Sequence, residues 1–315
     1  MSLPSRYVVT GATGWVGRTA LHELQLLLPP DEFKARVLAF ASSPRLIPST
    51  AYPKSAEITI QAHPLALMPE LLKDCRDVSL IHAAFLTKDR IGAYGVDSYI
   101  QTNQTITETV CKALAGLSSS RVVLMSSGAA SQIKPDVDFD QQLCSDPYGA
   151  LKRKEEQQIA KLAPTQILRL YALTGQFIRD PQSFAIGDFL LKALRQEPIE
   201  LRSVMSVVRG YGHTGDIVRA GWKWLASTNA SQPPIATVSH ETSLLSLAET
   251  ISEMFGLPPV RHTIDKTAAA SIYSAPSKVF EEWLQAHGEA ALGFREQIQE
   301  TADGLKGQKQ ATTDQ

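Results

Sequence analysis

Cysteine is scarce in this chain and widely spaced. There are three, Cys75, Cys111 and Cys144. An odd number at such spacing does not indicate a disulfide framework, and it fits reduced thiols that behave as small apolar side chains. No group of histidines and cysteines has the spacing of metal ligands, so we expect no metal site. The thiols favour a protein of the reducing cytoplasm.

The chain also lacks an excess of charge of either sign and any long apolar run. Lysine and arginine number 31 against 32 aspartates and glutamates, and the isoelectric point is near 6.7. This balance predicts no basic surface for nucleic acid. No apolar run approaches the roughly 18–20 residues of a membrane span, and no charged and then apolar leader precedes the first strand signal at Tyr7. We therefore expect a cytoplasmic protein that binds neither nucleic acid nor membranes.

What the first half does contain is an alternation of strand and helix signals. Apolar runs predict strands at residues 7–9, 36–41, 57–60, 78–81, 121–125 and 166–170, with helical periodicity at residues 67–72 and 98–117. Such alternation predicts a Rossmann-like α/β fold, a doubly wound parallel sheet covered on both faces. Ligands of such sheets bind at the carboxyl ends of the strands.

After residue 175 the pattern becomes irregular and richer in proline, with short helices predicted at residues 186–194, 217–226 and 244–255. We predict a dinucleotide-binding domain over residues 1–175, completed by segments of about 205–240. A smaller C-terminal substrate-binding lobe is predicted over residues 176–303. The polar residues 304–315 are expected to be a disordered tail.

A glycine-rich turn follows the first predicted strand, in RYVVTGATGWVG at residues 6–17. Gly11 permits the sharp turn, Gly14 lets the backbone approach a pyrophosphate, and Gly17 lets the next helix lie close to the strand. No lysine follows the last glycine, which argues against a nucleoside-triphosphate loop. Taken alone, the motif also fits a turn that binds nothing. In a dinucleotide site, the turn residues beside the cofactor are Gly11, Thr13, Gly14, Trp15, Val16 and Gly17.

Three further residues have the chemistry of an acid–base site. Tyr148 and Lys152 lie four residues apart, a spacing that places both on one face of a helix. A neighbouring ammonium favours the phenolate over the phenol, whose pKa is ordinarily ~10. Ser127 follows the strand predicted at residues 121–125 and can orient a substrate oxygen. A Tyr–Lys pair alone is common on solvated helices, but the glycine turn, the serine and the pair in this order favour catalysis.

With these motifs, the chain resembles the extended short-chain dehydrogenase/reductase superfamily. Within it, the chain is similar to the NAD-dependent epimerase/dehydratase family that modifies nucleotide sugars, of the bacterial surface-polysaccharide type. The resemblance implies that Ser127, Tyr148 and Lys152 form a catalytic triad, with Lys152 also on the nicotinamide ribose. It also implies a homodimer formed by the helices at residues 98–117 and 148–162. Further residues that it places at the cofactor are Ala83, Ala84, Phe85, Asn103 and Tyr171, and at the substrate Lys88, Phe184 and Arg209 together with Ser127.

Gly128 and Ala129 stand where the dehydratases of this family carry two acids. Without a carboxylate there, elimination of water is disfavoured. The resemblance thus implies a 4-ketoreductase or a 4-epimerase. Two alternatives remain open at this point, a reductase or dehydrogenase of a small non-nucleotide carbonyl or alcohol, and a non-catalytic dinucleotide sensor.

The end of the second predicted strand indicates which dinucleotide is bound. Enzymes that use NAD typically place an acid there to bind the ribose 2′-hydroxyl. Here the strand continues into Ser42, Ser43 and Arg45, which could hydrogen-bond and neutralise a 2′-phosphate. This favours NADP over NAD, with NAD still open if Arg45 is only a solvated side chain.

Overall fold

The structure is a computed structural model that describes residues 6–48, 59–134, 136–227, 230–265 and 268–313. The described residues form two compact units. The first takes its residues from Met1–Ser49, Ile58–Leu170 and Val218–Ile235, and the second from Tyr171–Ile217 and Ala236–Gln315.

Strands and helices alternate along most of the described chain. The strands are β1 (Arg6–Thr10), β2 (Val37–Ala41), β3 (Arg45–Pro48), β4 (Thr59–Pro64), β5 (Val78–His82), β6 (Ser120–Ser127), β7 (Thr165–Leu170), β8 (Ala172–Thr174), β9 (Glu200–Leu201), β10 (Val207–His213), β11 (Ile235–Ala236), β12 (His240–Ser243), β13 (Arg261–His262) and β14 (Ser271–Tyr273). The α-helices are α1 (Trp15–Leu27), α2 (Pro30–Arg36), α3 (Met68–Leu72), α4 (Ile91–Tyr94), α5 (Val96–Ala115), α6 (Phe139–Ser145), α7 (Pro147–Ile159), α8 (Ala185–Ala193), α9 (Thr214–Ala226), α10 (Leu244–Phe255), α11 (Lys278–Ala286) and α12 (Phe294–Thr313).

The large sheet has the strand order β11-β7-β6-β5-β1-β2-β4-β3. The pairs from β7 through β6, β5, β1 and β2 to β4 are parallel, whereas β3 pairs antiparallel with β4 at the edge. The chain order reverses between β5 and β1, so the carboxyl ends of these two strands flank the switch point at which such sheets bind ligands. The predicted Rossmann-like fold is confirmed.

Alternate residues of the central strands pack against helices on opposite faces of the sheet. Val8, Leu80 and Leu124 belong to one buried cluster that also includes residues of α3, α5 and α7. On the other face, Val123 lies opposite Gly221 in the part of α9 that belongs to the first unit, where a Cβ built on Gly221 would come within 3.5 Å of the Val123 side chain. The indole Nε1 of Trp222 in that helix donates to the Ala20 carbonyl of α1 over 3.1 Å.

The second unit is built around strand β10. Its first three residues pair parallel with β14, residues 208–211 pair antiparallel with β12, and its last three residues pair parallel with β8. A short pair, β9 with β13, forms a separate two-stranded sheet. In the part of the chain that the structure describes, no helix is both long and apolar enough to cross a membrane.

The C-terminal prediction is wrong where the structure describes it. We expected a disordered tail from residue 304, but α12 continues to Thr313. The helix persists because Ala302 and Leu305 are buried, Leu305 being only 3% exposed. Residues 314 and 315 lie outside the described ranges. The strand predicted at residues 57–60 is observed as β4, which begins at Thr59, and residues 57 and 58 also lie outside the described ranges.

Candidate active site

The glycine turn after β1 lies directly against the loop that follows β5. Gly11 has φ +67°, and a Cβ built there would lie 2.5 Å from the Ala83 carbonyl oxygen. A Cβ at Gly17 would lie 2.1 Å from the Gly11 carbonyl oxygen, so the start of α1 folds tightly onto the turn. Both positions therefore require glycine. Gly14 is the N-cap of α1, with no side-chain cap and no acidic residue in the first helical turn.

Helix α7 carries the tyrosine and the lysine, and Phe85 contacts both. Pro147 stands at the first position of the helix, where its missing N–H costs nothing. The rings of Phe85 and Tyr148 meet edge to face with centroids 6.0 Å apart. The Lys152 Nζ lies 3.8 Å from the centroid of the same Phe85 ring. The side chains predicted to share one helical face are thus brought together on one aromatic ring.

Lys152 is buried and held by strong acceptors. Its Nζ donates to the Met125 carbonyl oxygen on β6 over 2.9 Å and to Glu155 Oε2 over 2.9 Å. The lysine is 4% exposed. An ammonium has three N–H donors, and these two bonds use two of them.

Behind Lys152, a chain of hydrogen bonds runs to the glycine turn. Glu155 Oε1 lies 3.1 Å from His82 Nε2, and His82 Nδ1 lies 2.5 Å from Thr10 Oγ1. Thr10 Oγ1 also accepts from the Ala83 N–H. The Glu155 carboxylate can only accept, which assigns an imidazole proton to Nε2, and in the neutral ring Nδ1 then accepts from the Thr10 hydroxyl.

Burial acts to raise the pKa of Glu155, because it penalises the carboxylate. The Lys152 ammonium and the hydrogen bond from His82 outweigh burial, so the pKa of Glu155 is lowered. The carboxylate is therefore ionised at neutral pH.

The next residue, Glu156, forms a second buried network. Arg169 on β7 binds it through Nε and Nη2 over 2.9 and 2.8 Å, in the two-pronged geometry that guanidinium and carboxylate favour. Ser126 Oγ donates to Glu156 Oε1 over 2.6 Å, and Arg153 donates to its Oε2 over 2.9 Å. This network ties α7 to the ends of β6 and β7.

Ser127 is the last residue of β6 and is buried. Its Oγ accepts from the Ala129 N–H over 3.2 Å and caps the 3-10 helix Gly128–Gln132. Ser126, its neighbour, points to Glu156 instead. The two serines of this strand end therefore have different partners, and Gly128 and Ala129 place no carboxylate beside them.

Asn103 is used to shape the loop after β5. Its Oδ1 accepts from the Leu86 N–H over 2.8 Å and its Nδ2 donates to the Leu86 carbonyl over 3.3 Å. The Tyr99 hydroxyl donates to the same carbonyl over 2.8 Å, and burial raises the pKa of Tyr99. Asn103 and Tyr99 thus fix the loop that carries Ala83, Ala84 and Phe85.

The residues predicted to select the dinucleotide lie at the carboxyl end of β2. Ser42 is exposed, Ser43 is half-buried, and the exposed Arg45 begins the edge strand β3. Arg18 of α1 reaches the opposite end of β3, where its Nη2 donates to the Pro48 carbonyl over 3.4 Å. Two guanidinium groups therefore flank this strand.

The residues predicted to bind the substrate are divided between the two units. Lys88 is exposed in the first unit, with its Nζ 3.9 Å from the Asp146 carboxylate. In the second unit, Arg209 Nη1 donates to the carbonyls of Val208 and Ser271, and Phe184 is 44% exposed. Tyr171, predicted at the cofactor, also belongs to the second unit, where its ring lies 4.7 Å from that of Tyr273.

Comparison with known proteins gives the family. The model of the NAD dependent epimerase/dehydratase family matches residues 7–238. The chain belongs to this family. No curated protein matches the chain significantly by sequence.

Solved structures of other proteins have a fold similar to that of this chain. The UDP-N-acetylglucosamine 4-epimerase of Methanobrevibacter ruminantium M1, in complex with UDP-N-acetylmuramic acid, has a TM-score of 0.73 at 18% identity, covering 98% of this chain and 100% of that one. MoeE5 in complex with UDP-glucose and NAD has a TM-score of 0.70 at 20% identity, with coverage of 96% and 99%. DesIV, the dTDP-glucose 4,6-dehydratase of Streptomyces venezuelae with NAD and TYD bound, has a TM-score of 0.70 at 19% identity, with coverage of 97% and 98%.

The sequence analysis did not predict the buried hydrogen-bond networks next to Tyr148 and Lys152. Their residues are Thr10, His82, Glu155, Glu156 and Arg169. One signal was available, since Thr10, His82 and Arg169 stand at or near the carboxyl ends of apolar strands. The two glutamates lie in the charged run KRKEE, which looks like a solvated helical face. Among the described residues, no group of three or more histidine, cysteine or acidic side chains is placed to hold a metal ion.

Proposed function

We propose that the protein is an NAD(P)-dependent oxidoreductase or epimerase that acts on a nucleotide-activated sugar. One observation carries the proposal, namely that a single loop joins the glycine turn to the acid–base pair. Ala83 contacts Gly11, and two residues later Phe85 contacts both Tyr148 and Lys152. A dinucleotide laid over the glycine turn would thus extend toward the phenol and the ammonium.

The residues of the turn fit a dinucleotide. Gly11 and Gly17 let the turn pack closely against the Ala83 carbonyl and the start of α1, which is the compact main-chain arrangement of a dinucleotide-binding turn. The first N–H groups of α1 have neither a side-chain cap nor an acidic neighbour in that turn, and such groups bind a pyrophosphate well. Thr13, Trp15 and Val16 would line the same position, with Ala83 and Ala84 beside it.

In the proposed mechanism, Tyr148 exchanges a proton with the substrate oxygen while Ser127 orients that oxygen. Lys152 favours the phenolate of Tyr148 by its charge and donates its third N–H to a ribose hydroxyl. A bound nicotinamide dinucleotide supplies the hydride acceptor and donor. Lys88, Arg209 and Phe184 are each proposed as substrate-binding residues.

The absence of a carboxylate at Gly128 and Ala129 favours 4-ketoreduction or 4-epimerisation over dehydration. A ketoreductase only transfers hydride from the cofactor to the sugar. An epimerase first removes hydride from the sugar and then returns it. A thermal-shift screen of UDP-, dTDP-, GDP- and CDP-sugars, followed by incubation with each stabilising sugar nucleotide, tests the proposal. An epimer formed without net cofactor oxidation identifies an epimerase, and consumption of the reduced cofactor with a 4-keto sugar identifies a ketoreductase.

Two other functions make different predictions in the same screen. A reductase of a small non-nucleotide carbonyl is stabilised by no sugar nucleotide but still oxidises the reduced cofactor with its own substrate. A dinucleotide sensor binds the cofactor and turns over nothing. The presence of both Tyr148 and Lys152 favours catalysis over sensing.

We propose that NADP is preferred over NAD. Ser42 and Ser43 are followed by the exposed Arg45, no acid stands in this turn, and Arg18 adds a second guanidinium at the far end of β3. Arg45→Ala should weaken NADP binding by about tenfold while leaving NAD binding unchanged. Equal affinities for the two dinucleotides in the parent protein, or equal losses in the variant, would contradict the preference.

We also propose a homodimer formed by α5 and α7. These helices pack side by side within the first unit. Two copies of this helix pair, related by symmetry, would bury their outer faces in a four-helix arrangement. Sedimentation velocity at micromolar protein concentration should give the mass of two chains, and a single-chain mass would contradict the dimer.

A further inference from the structure

Glu155 stands out because nothing in the proposed chemistry uses it. It lies on α7 three residues after Lys152, it is 1% exposed, and its carboxylate bridges Lys152 and His82. Taking a carboxylate out of water is costly, so its burial calls for a physical explanation.

The explanation begins with the cost of burying Lys152. A buried ammonium loses its hydration and tends to give up its proton unless an opposite charge compensates. The contacts of Lys152 are a carbonyl dipole at Met125, the face of Phe85 and the carboxylate of Glu155. Among the described residues, Glu155 is the acid that forms an ion pair with this lysine.

Glu155 is itself held in one place. His82 Nε2 binds its Oε1, and Thr10 fixes the imidazole from the other side. The carboxylate therefore cannot turn away from Lys152 without breaking a bond to strand β5. Lys152 is in turn fixed between α7 and the Met125 carbonyl of β6.

We propose that Glu155 is a positioning residue that keeps Lys152 protonated and fixed, with one N–H left for a ribose hydroxyl. The ribose contact rests on the proposed function. The ion pair does not, because it concerns the protein alone.

Other titratable groups surround the pair on each neighbouring element. His82 faces it from β5, and the Tyr148 phenol lies one helical turn before Lys152 on α7. From α5, Tyr99 lies near Tyr148, and the Cys111 thiol has its pKa raised by burial and then by the charge of Glu155. None of these supplies a second carboxylate to Lys152 within the described part of the chain. Glu156 binds Arg169 and Arg153 instead.

Glu155→Gln tests the proposal directly, with Glu156→Gln as the matched control. Both variants remove one charge from a buried carboxylate on the same helix, but only the first removes it from Lys152. Titration is followed by NMR in protein with 13Cε-labelled lysine, and the Lys152 resonance is assigned as the one missing from Lys152→Met. The parent protein and Glu156→Gln should give the same midpoint for Lys152. In Glu155→Gln the midpoint should fall by about two pH units or more.

A second measurement tests whether the ion pair between Glu155 and Lys152 affects cofactor binding. At pH 6.5 the parent and Glu155→Gln should bind NADPH, or NADH where that is the cofactor bound, with similar affinity. At pH 9 the variant should bind about tenfold more weakly, because its lysine has become neutral. A merely structural role for Glu155 would weaken binding equally at both pH values.

The possible failures can be told apart. An unchanged Lys152 midpoint in Glu155→Gln overturns the proposal and leaves the proposed function standing. Failure of the parent protein to bind any nicotinamide dinucleotide overturns the proposed function, while the lysine titration still decides the role of Glu155. If near-UV circular dichroism shows that Glu155→Gln does not fold, Glu155→Asp replaces it. Aspartate keeps the negative charge but, having a shorter side chain, holds it farther from Lys152. The Lys152 midpoint in Glu155→Asp should therefore lie below that of the parent protein, and an unchanged midpoint would overturn the proposal.

Discussion

Glu155 and Glu156 are consecutive residues of α7, both are buried, and they bind different cations. Glu155 pairs with Lys152, whereas Glu156 pairs with Arg169 and Arg153. Consecutive helical residues point about 100° apart, so one helix reaches two buried networks. The first network lies beside the proposed catalytic pair, and the second ties the helix to the sheet.

The second network predicts a large loss of stability. Glu156→Ala leaves the half-buried Arg169 without its carboxylate and removes the acceptor of Ser126. Breaking a buried ion pair on one side should cost about 3–5 kcal/mol in the free energy of unfolding. Urea denaturation followed by circular dichroism measures this cost. The double variant Glu156→Ala with Arg169→Met should recover part of it, and additive losses would contradict a direct pairing.

The glycine turn predicts a steric effect at Gly17. Gly17→Ala places a Cβ 2.1 Å from the Gly11 carbonyl oxygen. Overpacking against the main chain should lower stability by about 2–3 kcal/mol and abolish measurable dinucleotide binding. Thermal unfolding and a dinucleotide titration give the two results. Gly92→Ala is the control, because a Cβ there meets nothing within 4 Å, so this substitution in α4 should lower neither stability nor dinucleotide binding.

Removal of one hydroxyl tests the proposed acid–base role. Tyr148→Phe keeps the aromatic contact with Phe85 but cannot exchange a proton. We expect kcat to fall by about 10²–10⁴ with the affinity for the dinucleotide unchanged. Steady-state kinetics on the sugar nucleotide found in the screen, together with cofactor titration, provide the test. Full turnover by the variant would rule out this role for Tyr148.

The second unit contains a pH-dependent interaction at His213. Its Nδ1 lies 3.0 Å from Asp216 and its Nε2 3.1 Å from Glu300. Burial lowers the pKa of His213, but the bonds to the two carboxylates prevail and raise it to about 9. Because the unfolded chain titrates near pH 6.5, the folded state binds this proton more tightly. The stabilisation is complete below about pH 6.5 and is lost as the pH rises through about 9.

Over that range the free energy of unfolding should fall by an amount on the order of 3 kcal/mol from this group. Denaturation at several pH values measures the fall. In His213→Gln the fall should be smaller, and the two proteins should differ most at pH 6.5. A difference that grows with rising pH would contradict the sign of the effect.

The last part of α12 predicts a contrast between adjacent positions. Leu305→Ala should cost about 2–4 kcal/mol because it opens a cavity in the second unit, whereas Lys306→Ala, at an exposed position, should be nearly neutral. Thermal unfolding compares the two. Equal and negligible effects would indicate that this stretch is not packed.

The parallel sheet and the glycine turn could be predicted from the sequence because their signals are local. Apolar runs mark the buried strands, and the glycine spacing marks the turn. The edge strand β3 has no such signal. Its four residues, RLIP, are mostly exposed and form a strand only through pairing with β4.

The site could be predicted in part for the same reason. Tyr148 and Lys152 have a spacing that itself places them on one face. The burial of Glu155 and Glu156 depends on how α7 packs against β6 and β7, which a run of charged residues does not indicate. The tail prediction failed in a similar way, since a polar segment was judged by composition, whereas α12 packs against α8 and β8, which are distant in the sequence, and Leu305 is buried.

The hydrogen bonds of Thr10 restrict which residues can replace it and its partners during evolution. Its hydroxyl accepts from the main chain at Ala83 and donates to His82, which in turn binds Glu155. Serine could serve both purposes, but valine, though similar in shape, could serve neither. Apart from Thr10→Ser, single changes at these three sites should therefore be deleterious, while compensating sets could be tolerated. Homologues are expected to keep a hydroxyl residue, histidine and glutamate at these positions or to exchange the three residues together.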